Sequence, residues 1–177
     1  KEAFDVPIWS ASPTADRVLK DGEILQLGSQ NWTVLHTPGH HPEHLCLISN
    51  SGLVAGDMVA GIGTILIPPG QGDMMTYIEQ LERLLDLDPH LIFPSHGPVI
   101  PLPSRTLEHY IRHRSIRHDK VLCAVEEGNS NLETIAKIAY QDTPDAHPGL
   151  AVDQTLSHLI SHEKDGKVMR VDGGWVR

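Results

Sequence analysis

Between residues 21 and 96, short apolar runs alternate with clusters of Gly, Pro, Asn and Asp, and this pattern constrains the fold more than any other feature of the sequence. Such runs are typical of β-strands separated by turns. The first four runs follow one another across turn-length gaps, so they should pair antiparallel as a meander. The five predicted strands are EILQLG (23–28), WTVLHT (32–37), HLCLIS (44–49), LVAGD (53–57) and LIFPSH (91–96).

The gap between the fourth and fifth predicted strands contains a helix signal. Apolar residues recur at helical spacing from Ile78 to Leu85, Asp73 can cap the start, and Pro89 follows the end. The pattern predicts a helix packed on the sheet.

Helical patterns replace the strand pattern after the Pro-rich stretch PVIPLPS. A long helix is predicted over about 107–126, ended by Gly128. Ser130 and Glu133 have the spacing of a capping box at the start of a second helix. A third helix is predicted over roughly 152–163.

The last twelve residues, GKVMRVDGGWVR, predict two short strands around an Asp-Gly-Gly turn. Three helices followed by a hairpin is the winged-helix plan. We therefore predict an α/β (α+β) chain with a sheet-containing domain at 1–103 and a winged-helix-like domain at 104–177.

Charge and composition exclude some classes of binding partner and some locations. The net charge of −9 comes mostly from residues 1–103, with 4 Lys/Arg against 12 Asp/Glu, so there is no basic footprint for duplex DNA. No run is long and apolar enough to span a membrane, and the first residues lack the layout of a signal peptide. Cys46 and Cys123 are far apart, which favours two reduced thiols and a cytoplasmic location.

Three predicted strands each end in a side chain that can bind metal. His40 follows VLHTPG, Asp57 follows LVAG, and His96 follows LIFPS. Imidazole and carboxylate suit zinc, and a carboxylate with two oxygens can bridge two ions. Two ions that share a water would generate hydroxide near neutral pH.

The motifs TPGHHPEHLCL, VAGDMV and FPSHGPVI resemble the later metal motifs of the metallo-β-lactamase-fold hydrolases. With GIGTILIPPGQGDMMTYIEQLERLL and the predicted tail, the sequence is most similar to the β-lactamase-like-protein-2 group of that family. The resemblance covers most of the chain from Asp5 onward. It implies the C-terminal half of an αββα sandwich followed by a winged-helix domain.

The resemblance also implies roles for individual residues. His40 would bind a first zinc, Asp57 would bridge both ions at the catalytic centre, and His96 would bind the second. His44 matches the second His of the family's GHTxGH motif and would orient the ligands rather than bind metal. His41 stands where the family usually has Thr, beside the ligand.

One departure from the family pattern affects the expected metal content. None of the 12 histidines lies in the family's opening motif, His-x-His-x-Asp-His. We therefore expect a C-terminal fragment, with two zinc ions in the intact family site but zero or one in this chain. Alone it should be inactive, unless a second polypeptide or a second copy completes the site.

The sequence is compatible with several functions. For the intact parent, the resemblance implies hydrolysis of single-stranded RNA. A small-molecule thioester or lactone hydrolase similar to glyoxalase II is the alternative, although the chain lacks that family's Cys-Gly-Arg segment after the bridging Asp. A non-catalytic module that docks on a partner, or forms a homodimer through an exposed sheet edge or its C-terminal domain, is a hypothesis of a different class. A nucleic-acid-binding module comes third. Duplex DNA is disfavoured because the candidate recognition helix carries a single Lys near its end.

Other polar residues have simpler structural interpretations. We expect His36 to be a strand residue with a hydrogen-bonded side chain rather than a ligand. Gly61 and Gly63 should shape a tight loop. The segment RHRSIRH (112–118) could touch phosphate, but such spacing is more typical of a solvated face or of support between helices.

Overall fold

A computed structural model describes residues 5–177 and places a five-stranded sheet before three helices and a hairpin. The first four residues of the predicted 1–103 domain lie outside the described residues. The elements are β1 Trp9–Ser10, β2 Arg17–Val18, β3 Ile24–Leu27, β4 Gln30–His36, β5 Leu45–Ser49, β6 Gly52–Gly56, α1 Met74–Asp86, β7 Ile92–Pro94, α2 Pro103–Glu126, α3 Leu132–Ala139, α4 Pro148–Lys164, β8 Met169–Val171 and β9 Gly174–Val176.

The main sheet has the strand order β3-β4-β5-β6-β7. Strands β3 to β6 pair antiparallel, as predicted, and β7 joins β6 in parallel after the crossover through α1. All five predicted strands are confirmed. The short parallel pair β1 and β2 was not predicted, because two residues in each strand are too few to show a period.

Helix α1 covers one face of this sheet. Asp73 caps it by accepting the backbone N–H of Thr76 at 2.9 Å, as predicted. Tyr77, Leu81 and Leu84 on its inner face are fully buried. They form a core with apolar sheet residues that include Leu35, Cys46, Leu53, Ala55 and Ile92.

The opposite face of the sheet is only partly covered. Val34, Leu47, Val54 and Phe93 lie in register across β4, β5, β6 and β7. Val34 is buried in a small cluster with Leu19 and Leu25, whereas Val54 is 39% exposed. Apolar surface is therefore exposed towards the β6 and β7 side of this face.

The three tail helices exist as predicted, with changes at their starts. Helices α2 and α4 begin four residues earlier than predicted, at Pro103 and Pro148, because proline is well suited to the first helical turn. The predicted cap of α3 was wrong. Asn131, not Ser130, caps this helix by accepting the Thr134 N–H at 3.0 Å.

Helix α2 joins two cores. Its first half contributes Leu107 and Tyr110 to the core beneath the sheet, and its second half contributes Val121 and Val125 to a core with α3, α4 and Trp175. Strands β8 and β9 form the predicted hairpin. The domain boundary at residue 103 and the winged-helix assignment stay predictions.

The solvated face predicted over residues 112–118 is wrong for three of its side chains. Arg114 and Arg117 are each 3% exposed, and His118 is 6% exposed. Arg117 donates to the Asp142 carboxylate at 2.9 Å and to the Thr143 hydroxyl at 2.9 Å, so it supports helix packing. Arg117 thus links α2 to the end of α3 and to the turn that follows it.

No helix within residues 5–177 combines the length and the apolar character needed to cross a membrane. Both cysteines are free; Cys46 is buried and Cys123 is exposed.

Candidate metal centre

His40, Asp57 and His96 come together at one edge of the main sheet. Strands β4, β6 and β7 run in the same direction, since β4 and β6 are each antiparallel to β5 and β7 is parallel to β6. Their C-terminal ends therefore lie at the same edge. The three predicted ligands follow these ends, which explains how residues far apart in sequence meet.

The Asp57 carboxylate lies between the two imidazoles. Its Oδ2 is 3.6 Å from His40 Nε2, and its Oδ1 is 3.2 Å from His96 Nε2. Oδ1 is buried and, among residues 5–177, has no hydrogen-bond partner, because the approach of His96 lacks hydrogen-bond geometry. Each carboxylate oxygen thus faces a different histidine.

The orientation of His40 is fixed from behind. Its Nδ1 lies 2.7 Å from the carbonyl oxygen of Leu66. A carbonyl only accepts, so Nδ1 donates to it and Nε2 is the ring nitrogen that faces Asp57. Histidines that bind metals usually have this second hydrogen bond.

His44 holds Asp57 in place through the backbone. The Asp57 N–H donates to His44 Nε2 at 3.0 Å, and His44 Nδ1 lies 2.8 Å from the Thr37 hydroxyl. Burial of the ring, followed by the nearby His40, lowers the pKa of His44 to about 4. A neutral ring is required here, because Nε2 must accept. These contacts agree with the orienting role that the sequence predicts, which itself stays a prediction.

Thr37 extends this chain of contacts into the core. Its side chain is fully buried, and its hydroxyl lies 3.3 Å from Cys46 Sγ. The Cys46 thiol donates to the Ala55 carbonyl at 3.4 Å, and burial raises its pKa to about 12. Sequence reasoning missed Thr37, although its place inside the HTPGH stretch was a usable signal.

Two glycines, Gly56 and Gly39, let the backbone lie close to His44 and to helix α1. Gly56 has φ +53°, and a Cβ there would lie 2.5 Å from His44 Nε2. Gly39, just before His40, has φ +135°, and a Cβ there would lie 2.4 Å from the Cα of Tyr77. Any side chain at these positions would displace His44 or α1.

A second loop supports the turn that carries His96. The Gly61 N–H donates to the His96 carbonyl at 2.8 Å. A Cβ on Gly61 would lie 2.2 Å from the carbonyl oxygen of Pro98, so the two loops pack backbone to backbone. Gly63, with φ +84°, continues the same loop. The prediction that Gly61 and Gly63 shape a tight loop is confirmed.

Two neighbouring histidines, His36 and His41, form hydrogen bonds with backbone groups away from Asp57. His36 lies in β4 with Nε2 2.7 Å from the Pro42 carbonyl oxygen, which confirms it as a strand residue with a hydrogen-bonded side chain. His41 is exposed and accepts the Glu43 N–H at 3.2 Å.

The donor set fits a cation in part. Asp57 Oδ1, which has no hydrogen-bond partner among the described residues, and His40 Nε2, which faces Asp57, are the atoms that a metal could bind. Across residues 5–177, however, no group of three or more His, Cys, Asp or Glu side chains is arranged to hold one ion. On either side of Asp57 this chain offers one histidine and one carboxylate oxygen, fewer than the three protein ligands of a catalytic zinc site.

Comparison with known proteins finds relatives of the part of the chain that contains these residues. A family model described as the metallo-beta-lactamase superfamily matches residues 5–96, more than half of the chain. The chain is 38% identical over 142 residues to the beta-lactamase-like protein 2 homolog of Drosophila melanogaster, covering 78% of this chain and 47% of that protein. It is 23% identical over 166 residues to an atrochrysone carboxyl ACP thioesterase of Paecilomyces divaricatus, covering 92% and 52%. The chain thus spans about half the length of the curated relatives it matches.

Solved structures give the same fold. A beta-lactamase domain protein from Burkholderia ambifaria superposes with a TM-score of 0.79 at 26% identity, covering 93% of this chain and 53% of that chain. A metallo-beta-lactamase family protein from Thermus thermophilus superposes with a TM-score of 0.75 at 21% identity, covering 93% and 55%. The family match, the shared fold and the three motif residues at one sheet edge lead to one conclusion: this chain belongs to the metallo-β-lactamase superfamily.

Proposed function

We propose that this chain is part of a zinc-dependent hydrolase that cleaves phosphodiester bonds in single-stranded RNA. One observation carries the proposal: the Asp57 carboxylate has a histidine Nε2 facing each of its oxygens, at 3.6 Å for His40 and 3.2 Å for His96. A carboxylate between two imidazoles suits a bridge between two ions. RNA as the substrate class is what the resemblance to the β-lactamase-like-protein-2 group implies, and the 38% identity to the Drosophila melanogaster homolog supports that resemblance.

In this proposal each residue of the site has a separate task. His40 and His96 would each hold one ion, Asp57 would hold both, and His44 would position Asp57. When bound, such ions supply Lewis-acid chemistry and activate water near neutral pH. The remaining ligands would come from protein outside this chain or from a second copy, so we expect zero or one zinc in the isolated chain.

The side chains of the three proposed ligands differ in their exposure to solvent. The His96 side chain is 69% exposed, against 24% for His40 and 30% for Asp57. His96 is therefore open to the ligands that the proposal draws from outside this chain, while His40 is held against the protein by the Leu66 carbonyl.

The test is RNA cleavage by the zinc-loaded protein of which this chain is part, assayed with a fluorescent single-stranded oligonucleotide. We expect Asp57→Asn to abolish cleavage, because the bridging charge is lost. His36→Gln is the matched control, since His36 lies outside the site and bonds to the Pro42 carbonyl. Cleavage that survives Asp57→Asn would overturn the proposal.

A thioester hydrolase is the second candidate, and a specific observation favours it. The relative from Paecilomyces divaricatus, described as an ACP thioesterase, aligns with 92% of this chain. Parallel assays with S-lactoylglutathione, an acyl thioester and the RNA oligonucleotide separate the two functions. Turnover of a thioester without RNA cleavage would establish this candidate and exclude the first.

A role in assembly has support of a different kind. Strand β3 forms an edge of the main sheet, and its Ile24 is 65% exposed. An edge of this type can pair with a second copy of the chain. Light scattering would give twice the chain mass for such a homodimer, and a strictly monomeric mass would exclude it.

A further inference from the structure

Arg114 is a buried charge without an acidic partner. It lies in α2, is 3% exposed, and forms no ion pair with any carboxylate of residues 5–177. Arg117, one helical turn further along, has the carboxylate of Asp142 instead. Because an uncompensated buried charge is unfavourable, the surroundings of Arg114 call for an explanation.

The known contacts of Arg114 use only part of its guanidinium. Nη1 donates to Gln154 Oε1 at 2.8 Å, and Nη2 donates to the Thr64 hydroxyl at 3.1 Å and to the Ile65 carbonyl. A guanidinium has five N–H donors, so about two are left for another acceptor. All three acceptors are neutral, and none balances the positive charge.

A cavity of about 220 Å³ opens beside this guanidinium. It is lined by Gly63, Thr64, His109, Tyr110, His113 and Arg114. The lining contains one fixed positive charge, two imidazoles and two hydroxyls, but no carboxylate. Since a water molecule in the liquid occupies about 30 Å³, the cavity has room for a phosphate group and part of a sugar.

The cavity shares its supporting residues with the candidate metal centre. Tyr77 donates to the carbonyl of Met58, the residue after Asp57, at 2.6 Å, and its ring centroid lies 5.6 Å from the Arg114 guanidinium. The Ile65 carbonyl that Arg114 binds directly precedes Leu66, whose carbonyl orients His40. An anion in the cavity would therefore contact the loop that follows Asp57 and whose Leu66 carbonyl orients His40.

We propose that this cavity binds a phosphate group of the single-stranded RNA substrate. The inference rests on the proposed function and adds a specificity site to it. The Arg114 N–H groups that have no acceptor among these contacts would donate to phosphate oxygens, and the Thr64 hydroxyl and His113 would complete the site. This assigns the phosphate contact to one buried arginine, although the segment as a whole is not a basic surface.

The test measures phosphate binding directly, by amide NMR of the protein in EDTA at pH 7. Inorganic phosphate and adenosine 5′-monophosphate should shift the Gly63 and Thr64 signals saturably. Arg114→Gln should weaken binding about tenfold or more, since charge-assisted hydrogen bonds are lost. Arg112→Gln is the matched control, because it removes the same charge from an exposed position of α2 and should leave affinity unchanged.

Arg114 also connects α2 to the loop, so its variant could fail to fold. The double variant Thr64→Ala with His113→Gln then decides, because both residues are exposed. It should bind phosphate several-fold more weakly than the parent. Absence of saturable binding, or equal binding by the parent and this double variant, would overturn the inference.

Two further readouts separate this inference from the proposed function. Because EDTA removes metal, phosphate binding does not depend on hydrolysis, and cleavage of RNA without phosphate binding would overturn the cavity alone. Tighter binding of 4′-phosphopantetheine than of adenosine 5′-monophosphate would assign the cavity to a thioester substrate and overturn its role with RNA. Tighter binding of the nucleotide supports the inference as stated.

Discussion

The backbone N–H of Asp57 donates to His44 Nε2 across 3.0 Å, so a side chain from the loop after β4 fixes the residue that follows β6. His44 is itself fixed by Thr37 at 2.8 Å. The position of the carboxylate that faces His40 and His96 therefore depends on a histidine that bonds to the Asp57 backbone and to neither carboxylate oxygen.

Replacing His44 with Ala should destabilise the fold. The Asp57 N–H would lose its acceptor, and an unsatisfied buried donor costs about 1–3 kcal/mol. Urea denaturation measures the loss. His41→Ala is the control, because His41 is exposed, and it should change the free energy of unfolding by no more than about 0.5 kcal/mol. Equal stability of the two variants would show that the His44 contact contributes nothing.

Gly56→Ala and Gly63→Ala separate steric contact from backbone strain. Both glycines have positive φ, +53° and +84°, so an Ala at either position is strained by about 1 kcal/mol or more. Only Gly56 has a close neighbour, because its Cβ would meet His44 Nε2 at 2.5 Å, whereas Gly63 faces open space within 4 Å. Gly56→Ala should therefore lower the thermal midpoint further than Gly63→Ala. Equal midpoints would mean that His44 moves aside freely.

The sequence predicted those features that depend on local chemistry or on the order of the strands. Asp73 caps α1 because its acceptor lies three residues before the Thr76 N–H, a relation within one turn. His40, Asp57 and His96 converge because strands of one direction end at one edge, which strand order and connection rules imply.

Features that depend on tertiary partners were not predictable in the same way. The Leu66 carbonyl that orients His40 is a backbone group, and it leaves no trace in residue type. The charged spacing over 112–118 resembles a solvated helix face, yet Arg114 and Arg117 are buried because distant loop and helix atoms accept their protons. The cap at Asn131 rather than Ser130 shows that two adjacent cap formers cannot be ranked by spacing alone.

Three buried histidines between α2 and α4 make stability sensitive to pH. The rings of His118 and His162 stack with centroids 3.6 Å apart, and His118 Nδ1 lies 3.1 Å from His158 Nδ1. Each ring has one buried nitrogen without a hydrogen-bond partner among the described residues. Burial is the largest cause that lowers the pKa of all three, to about 4 for His118.

The free energy of unfolding should fall as pH decreases from about 6.5 towards 4. In this range the histidines of the unfolded chain, with a pKa of 6.5, bind protons, whereas the same histidines in the folded protein stay neutral because their pKa values are lower. The unfolded state therefore binds more protons, and acid favours unfolding. Each such proton contributes about 1.4 kcal/mol per pH unit, giving up to about 4 kcal/mol per unit for three.

Urea denaturation at several pH values measures the slope. His162→Gln should reduce it by about one proton, and the exposed His109→Gln should leave it unchanged. A free energy of unfolding independent of pH between 7 and 5 would contradict this prediction.

Gln154→Ala should loosen the loop behind His40. From α4, Gln154 accepts the Ile67 N–H at 3.2 Å and donates to the Ile67 carbonyl at 2.9 Å, next to the Leu66 carbonyl that orients His40. Because the Ile67 N–H would lose its acceptor, we expect a loss of about 1–3 kcal/mol in stability and faster hydrogen exchange at that amide. Gln141→Ala, at an exposed position after α3, is the control and should leave exchange at Ile67 unchanged. If exchange at Ile67 were the same in both variants, the Gln154 contact would not hold this loop, and the Ser157 hydroxyl, which donates to the Ile67 carbonyl at 2.7 Å, would be the remaining contact from α4.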